Sequence, residues 1–577
     1  MFGPKGVRAY FLSTRSQVSS GGNLADVWAV APATGEPTGL RAERTRVSLS
    51  VPRSTATLIR PAPSLAVRRP ARVSGSRSTG LALAGGVLGG LALAVAFPPY
   101  AWWPMAPVGV ALLVLSCRGR SARAGAAAGL AAGVAFFVPL LSWLSVVGVD
   151  AWLLLAGVQA VFFAALGAAL AVVVRLPGWP AWIACLWVGQ EALRDRIPFG
   201  GFPWGRLGFA AAGSPLAPYA ALGGVPLVTG VVALAGGLLL AAVSWRGRGR
   251  VLGLVGVGVL VAAGPAVPVP TTGSAGSGPA YATVALVQGN VPRSGLEAFA
   301  QRAAVLDNHV AATERLAADV RAGRVAAPAA VIWPENSSDL DPYTDPAAAA
   351  AISRAARAVG VPLLVGAVVD GPGPDHVSNT GIVWDSITGP GERYIKRHPV
   401  PFGEYLPFRA QLGHLIGRFS LVPNDFAAGS RPGVLAVGPV RLGDVICFEV
   451  AYDGVVSDAV RAGGRVIVVQ TNNATYGRTA ETRQQLAMAR LRAIEHGRTV
   501  LVAATSGVSA VVGPDGSVRQ RTTEFTSASL VARVALRDRL TLADRLRTGP
   551  EWALTLTGLA VLGVAFAGRR RPAGGGR

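Results

Sequence analysis

The sequence predicts a helical membrane domain of eight spans that carries a large extracytoplasmic α/β domain between its seventh and eighth spans. Three observations predict it. The 577-residue chain is 51% hydrophobic and only 15% charged, which excludes an ordinary soluble enzyme and a disordered protein alike. Its apolar residues gather into runs close to the roughly 20 residues needed to cross about 30 Å of hydrocarbon. One long stretch between two such runs changes to short β-branched segments alternating with amphipathic ones, the pattern of an α/β domain with covered sheets.

The elements follow in order. Residues 1–78 form a basic tail: the first 77 hold 12 basic and 3 acidic residues and no sustained apolar period, so the tail is expected to be disordered. It lacks the apolar core and small-residue cleavage site of a signal peptide. Apolar runs then appear at 80–97, 101–117, 124–146, 151–174, 179–193, 217–244 and 251–268, making a seven-helix domain over 79–268, and an eighth lies at 551–568, within a span set at 550–568. The run at 101–117 contains Pro104 and Pro107, which membrane helices tolerate. The run at 179–193 is the weakest, because it leads into Glu191, Arg194, Asp195 and Arg196. The spacings Gly85–Gly89 and Gly86–Gly90 predict close helix packing.

Basic loop residues orient the spans. Arg118, Arg120 and Arg123 follow the second span, Arg175 the fourth, Arg246, Arg248 and Arg250 the sixth, and Arg569, Arg570 and Arg571 the eighth. Together with the basic N-terminal tail they place both termini, including the tail at 569–577, in the cytoplasm. Arg194, Arg196 and Arg206 fall on the other side and are an exception. The net charge of +23 is accounted for by topology and anionic headgroups, without nucleic acid.

A Pro/Gly/Ser/Thr linker at 269–280 opens the outer domain at 281–549. Strands are expected at 282–288, 328–333, 362–369, 380–385, 440–446, 465–470, 499–504 and 507–513, and helices at 296–322, 345–358, 451–462 and 481–497. The strands lack polar alternation and so read as buried on both faces. Pro514-Asp515-Gly516 reads as a hairpin turn.

Motifs for zinc hydrolysis, serine hydrolases and phosphate loops are missing. The three cysteines are too few for a disulfide scaffold and form no CxxC pair, so neither metal nor cofactor is expected. Three reactive residues stand at strand ends or in loops: Glu335 after Val331-Ile332-Trp333-Pro334, Lys396 in a Pro-rich loop, and Cys447 after Asp444-Val445-Ile446. Each alone has a bland reading: a surface or capping carboxylate, a solvated lysine, a small buried hydrophobe. Composition shifts the balance. Cys117 and Cys185 lie in apolar runs, which leaves Cys447 alone in the outer domain, and Lys5 in the tail is the only other lysine in a chain with 54 basic residues. Lysine is a compact point donor where arginine is a bulky planar one.

In that order and those contexts, Glu335, Lys396 and Cys447 resemble the Glu-Lys-Cys triad of the nitrilase, or carbon–nitrogen hydrolase, superfamily. Further strings narrow the resemblance to its membrane-embedded branch, the apolipoprotein N-acyltransferases: Leu286–Pro292, Trp333-Pro334-Glu335, Pro401–Pro407, Ile446–Glu449, Thr471–Gly477, Gln485–Glu495 and Gly201–Gly205. The resemblance implies an αββα sandwich for the outer domain. It implies Glu335 as base, Cys447 as nucleophile forming a thioester, and Lys396 as oxyanion donor, with Glu404 and Glu449 supporting. It implies substrate contacts at Trp204, Phe402, Tyr405, Asn473 and Tyr476. The partners it implies are a phospholipid acyl donor, a diacylglyceryl-modified apolipoprotein acceptor and the bilayer, served by a monomer. The chain departs from the family pattern at Thr475, at Phe448 where a Tyr is common, and in its first 77 residues. A membrane-tethered amidase with the same triad, and an inert scaffold keeping the fold, are the competing readings.

Overall fold

The computed structural model describes residues 77–274, 279–292, 301–412 and 424–570. All but the last two residues of the expected N-terminal tail, and the C-terminal tail beyond 570, lie outside them. The membrane part contains α1 (Arg77–Ala96), α2 (Met105–Cys117), α3 (Ala122–Leu140), α4 (Val149–Val173), α5 (Trp179–Arg194), α6 (Ala220–Ser244) and α7 (Arg248–Ala263). The α/β part contains α8 (Arg302–Arg321), α9 (Pro346–Val359), the short α10 (Arg409–Leu412), α11 (Asp453–Arg461), α12 (Glu481–His496) and the short α13 (Leu542–Leu546). Helix α14 (Gly549–Arg570) follows.

Every expected apolar run is helical. Among the described residues six helices are long and apolar enough to cross a membrane: α1, α3, α4, α6, α7 and α14. Helix α2 has 13 residues and α5 has 16, about 20 and 24 Å at 1.5 Å per residue, short of a full hydrocarbon core. The glycine spacings act as expected. A Cβ on Gly86 would stand 2.4 Å from the Ala128 carbonyl of α3, and one on Gly85 2.3 Å from Ser116 Oγ of α2. The two registers of α1 therefore seat two different neighbours. Between α3 and α4 a Cβ on Gly129 would lie 2.1 Å from the Phe163 carbonyl, so these backbones touch directly.

The basic residues that break the charge pattern are not loop charges. Arg194 is 1% exposed and donates to Gln159 Oε1 and to the carbonyls of Phe202 and Trp204. Arg206 is 2% exposed and pairs with Asp195 at 3.1 Å and Asp453 at 2.7 Å. Arg196 pairs with Glu551 of α14. All three are spent on internal partners, with Arg194 bracing the loop at 201–205.

Among the described residues thirteen strands make two sheets. They are β1 (Tyr281–Gln288), β2 (Ala330–Ile332), β3 (Leu363–Asp370), β4 (His376–Asp385), β5 (Gly389–Ile395), β6 (Asp425–Phe426), β7 (Val434–Val437), β8 (Val440–Ile446), β9 (Val466–Thr471), β10 (Val500–Ala504), β11 (Ala510–Val512), β12 (Val518–Arg521) and β13 (Ala528–Ala535). One sheet runs β13-β1-β2-β3-β4-β5 with β6 beside β4, and the other runs β12-β11-β10-β9-β8-β7. Their centres, β1-β2-β3 and β8-β9-β10, are parallel. All eight expected strands are present. The sequence misses β5, β6, β7 and β12, which are polar, glycine-rich or short, and β13, an eight-residue edge strand left largely uncovered.

Side chains alternate across each strand. Val284, Leu286, Ile332 and Leu364 meet Leu442, Val468 and Leu501 between the sheets. Ala285, Val287, Val331 and Val365 face Leu306, Val310 and Ala355 of α8 and α9. On the far side, Val445, Val469 and Val502 pack on Val456, Met488 and Leu491 of α11 and α12, in a cluster continuous with Trp204, Phe209 and Val225 of the membrane part. The result is the expected αββα sandwich, with one helical layer resting on the membrane helices.

Helix α12 makes that junction. Gln484 Oε1 accepts from Trp204 Nε1 at 2.6 Å and Trp143 Nε1 at 3.2 Å, while its Nε2 donates to the carbonyls of Pro98 and Leu140. Arg492, fully buried, pairs with Glu495 and with the same Asp453 that meets Arg206. Helix α6 begins with a break at Gly223 and Gly224. Gly224 has φ +70°, and a Cβ there would lie 2.5 Å from Glu495 Oε1. The linker is held too: Arg465 donates to the carbonyls of Ser274 and Pro279.

Candidate active site

Three strand ends converge on one place. Cys447 follows β8 and enters a 3-10 turn (Cys447–Ala451) at φ +54°. That conformation costs about 1–3 kcal/mol for a residue with a Cβ and persists only where its surroundings impose it. Glu449 imposes it. Its carboxylate accepts from the Ile446 N–H at 2.8 Å, the Arg397 N–H at 2.6 Å, the His398 N–H at 3.0 Å and the Tyr394 hydroxyl. Glu449 thus ties the Cys447 turn to the backbone just after Lys396. It makes no direct bond to the ammonium.

Lys396 sits one residue past β5 and is 1% exposed. Its Nζ donates to Glu404 Oε1 at 2.8 Å and to Glu335 Oε1 at 3.2 Å. Glu335, two residues past Trp333 and 3% exposed, also accepts from Asn379 Nδ2 at 2.7 Å and from the Asn472 N–H at 2.8 Å. Asn379 bridges Glu335 and Glu404, and Glu404 also takes the Val400 N–H. Burial opposes a charged ammonium, yet Glu335 and Glu404 hold Lys396 protonated well above the ordinary lysine range. Burial pushes the Cys447 thiol up and Glu335 and Glu481 push it further, while Lys396 pulls it down. The resting group is therefore a thiol, next to a carboxylate that can take its proton and an ammonium that favours its anion.

The residues expected to touch substrate divide. Phe402 and Tyr405 lie on the loop after Lys396, and Phe402 is 42% exposed against Phe199 of the membrane part. Tyr476 packs edge-on to Trp143 at 4.9 Å and lies within electrostatic reach of Cys447. Trp204 is buried: it stacks near Phe448 and donates to Gln484. Asn473 is 1% exposed, and its amide donates to Glu481 and Gln485. Trp204 and Asn473 thus face protein, with no open side toward a substrate. Phe448, where the family often has Tyr, lies against Phe202, Trp204 and Tyr452.

Sequence reasoning gave no task to Asn379, Thr471, Asn472, Glu481 or Gln485. Two signals were available. Asn379 is a polar residue directly before an apolar strand run, and Glu481 and Gln485 are four apart on a helix and so share a face.

Two family sequence models match the chain: apolipoprotein N-acyltransferase N-terminal domain over residues 89–238, and carbon-nitrogen hydrolase over 283–541. The apolipoprotein N-acyltransferase of Mycolicibacterium smegmatis is 44% identical over 506 residues, covering 84% of this chain and 85% of that protein. The apolipoprotein N-acyltransferase of Azotobacter vinelandii is 33% identical over 519 residues, covering 85% and 95%. Among solved structures, an amidase from Nesterenkonia sp. aligns with 22% identity over 47% of this chain and 99% of its own, at a TM-score of 0.34.

Proposed function

The chain belongs to the apolipoprotein N-acyltransferase family, and on that premise we propose that Cys447 relays an acyl chain from a phospholipid to the α-amine of a diacylglyceryl-modified N-terminal cysteine. This is the final step of bacterial lipoprotein maturation. Glu335 takes the thiol proton, and the thiolate attacks an ester carbonyl of the phospholipid. The C–S bond forms, and the oxyanion is met by Lys396 Nζ and a backbone N–H beside Cys447. Removing such a donor typically costs about 3 kcal/mol of barrier. The C–O bond then breaks, and Glu335 returns its proton to the departing lysophospholipid, leaving a thioester. The lipoprotein amine attacks that thioester, a C–N bond forms, the C–S bond breaks, and the amine's proton passes through Glu335 back to the sulfur.

The observation that carries this reading is the buried Glu335–Lys396 contact at 3.2 Å with both charges felt by the Cys447 thiol. The charge pattern supports eight spans with both termini cytoplasmic and the sandwich outside, and the internal pairing of Arg194, Arg196 and Arg206 removes its one exception. On this reading α2 and α5 cross as short spans inside the bundle. Exposed Phe199 is in ring contact with exposed Phe402 and Phe408, which suits an outer-leaflet entry for acyl chains.

The test uses purified protein in detergent with acyl-labelled phospholipid and no acceptor. A hydroxylamine-sensitive label on Cys447, absent from Cys447→Ser, is expected. An unlabelled protein with intact donor would refute the acyl relay and favour an amidase.

A further inference from the structure

Helix α12 carries a polar chain that the reaction above does not use. Gln485 is 2% exposed, and its Nε2 lies 3.7 Å from Cys447 Sγ. Its Oε1 accepts twice, from Thr471 Oγ1 at 3.0 Å and from Asn473 Nδ2 at 3.1 Å. Two donors on the oxygen leave the other edge of the amide, its N–H₂, for the sulfur. Asn473 is in turn oriented by Glu481, whose Oε2 accepts from the same Nδ2 at 2.7 Å. Asn473 Oδ1 has no hydrogen-bond partner among the described residues. It points at Gly507, where a Cβ would stand 2.4 Å away. Asn473 thus leaves a buried acceptor unsatisfied while serving Glu481 and Gln485, a cost that argues for a purpose.

We propose that Gln485 is a further catalytic residue, whose amide N–H donates to the Cys447 sulfur and stabilises its thiolate, and that Glu481 is a positioning residue fixing that polarity through Asn473. The chain has a sense of direction. Asn473 Nδ2 is shared between Glu481 Oε2 and Gln485 Oε1, the Gln485 oxygen is thereby occupied, and the sulfur meets the amide's donor edge. Glu481 also stands at the first turn of α12, where the helix N-terminus favours negative charge. Burial works the other way and holds its carboxyl at about 8, with Asn473 and Thr482 pulling it down. The inference deepens the proposed reading of the site and rests on Cys447 being its nucleophile.

The experiment follows iodoacetamide alkylation of Cys447 against pH in the full-length protein in detergent, scored by mass spectrometry of the Cys447 peptide. Gln485→Leu keeps the volume and removes the donor. Its alkylation midpoint is expected about one pH unit higher, with a rate about tenfold lower at neutral pH, the size of one hydrogen bond to a charged group. Asn473→Asp turns an acceptor toward Gln485 and Glu481, so it should shift the midpoint the same way while thermal unfolding still shows a folded protein. Glu481→Gln can still accept from Asn473 and removes a negative charge that raises the thiol, so its midpoint should not rise. A wild-type midpoint in Gln485→Leu overturns the proposal, as does one in folded Asn473→Asp should Gln485→Leu not fold. Thioester formation from labelled phospholipid is measured alongside. Its absence in the wild type, with the midpoint shifts present, sinks the acyl-relay reading and leaves the sulfur contact standing. Its presence with unshifted midpoints does the reverse.

Discussion

Glu449→Gln separates the anchoring of the site from its chemistry. The Glu449 carboxylate accepts from three backbone N–H groups and the Tyr394 hydroxyl. Arg397 and His398 share Oε1, and Ile446 uses Oε2. A glutamine can place its oxygen on one edge only. If it keeps Arg397 and His398, its N–H₂ faces the Ile446 N–H and leaves that donor buried without a partner, a cost of about 1–3 kcal/mol. The retained bonds also lose their charge assistance, which halves them, or about 1–2 kcal/mol more. Against this, burial holds the Glu449 carboxyl above its usual range, so removing the charge relieves a desolvation cost. The expected net loss is therefore near the lower end, about 2 kcal/mol, or roughly 30-fold at 1.4 kcal/mol per decade. It falls on the Cys447 turn and the backbone after Lys396. The assay is the single-turnover rate of thioester formation, with folding followed by thermal unfolding in detergent. Glu449→Gln within threefold of wild type in rate and unchanged in melting would show that the site does not depend on this anchor.

Glu335→Gln should lower thioester formation at least about 100-fold, the worth of a general base, while Cys447 alkylates at lower pH than in the wild type, because a neighbouring negative charge that raises the thiol has gone. Lys396→Met should move the alkylation midpoint the opposite way, and Lys396→Arg should fail to restore turnover because a planar fork does not fit between Glu335 and Glu404. Asp444 is fully buried with neither oxygen partnered among the described residues, and burial, Glu449 and Glu335 hold its carboxyl far above the usual range. Folding therefore takes up a proton there, and stability falls as pH rises above the unfolded carboxyl's value. Asp444→Asn should melt higher than wild type at pH 7.5 and lose that advantage near pH 4. Gly129→Leu should leave no monodisperse protein on size exclusion in detergent, since its Cβ alone would press on the Phe163 carbonyl.

The apolar runs and the buried strands were legible because burial on both faces leaves a composition signal. Strand β5 was not: Gly389-Pro390-Gly391-Glu392-Arg393 reads as a loop and becomes a strand by pairing with β4 at the sheet edge. Lys396 is aimed by that edge strand, so its importance could be read from the rarity of lysine and its geometry could not. Glu404 meets Lys396 from eight residues away in the chain. Gln485 and Glu481 share a helix face, yet the contact of Gln485 with Cys447 depends on the packing of α12 against β10 and the turn at Cys447–Ala451, which no local pattern encodes. The charges at Arg194, Arg196 and Arg206 misled for a related reason: a sequence counts charges without showing their partners.

Gln484 and Gln485 are neighbours on one helix, one gripped by Trp143 and Trp204, the other against the nucleophile. This bears on the order in which a growing chain becomes reactive. Trp143, Trp204 and the carbonyls of Pro98 and Leu140 are all synthesised hundreds of residues before α12. A sandwich without those helices would leave the Gln484 amide with nothing to hold. On the proposed reading, the Gln485 donor would reach the Cys447 sulfur only once α12 has settled on the earlier-made helices.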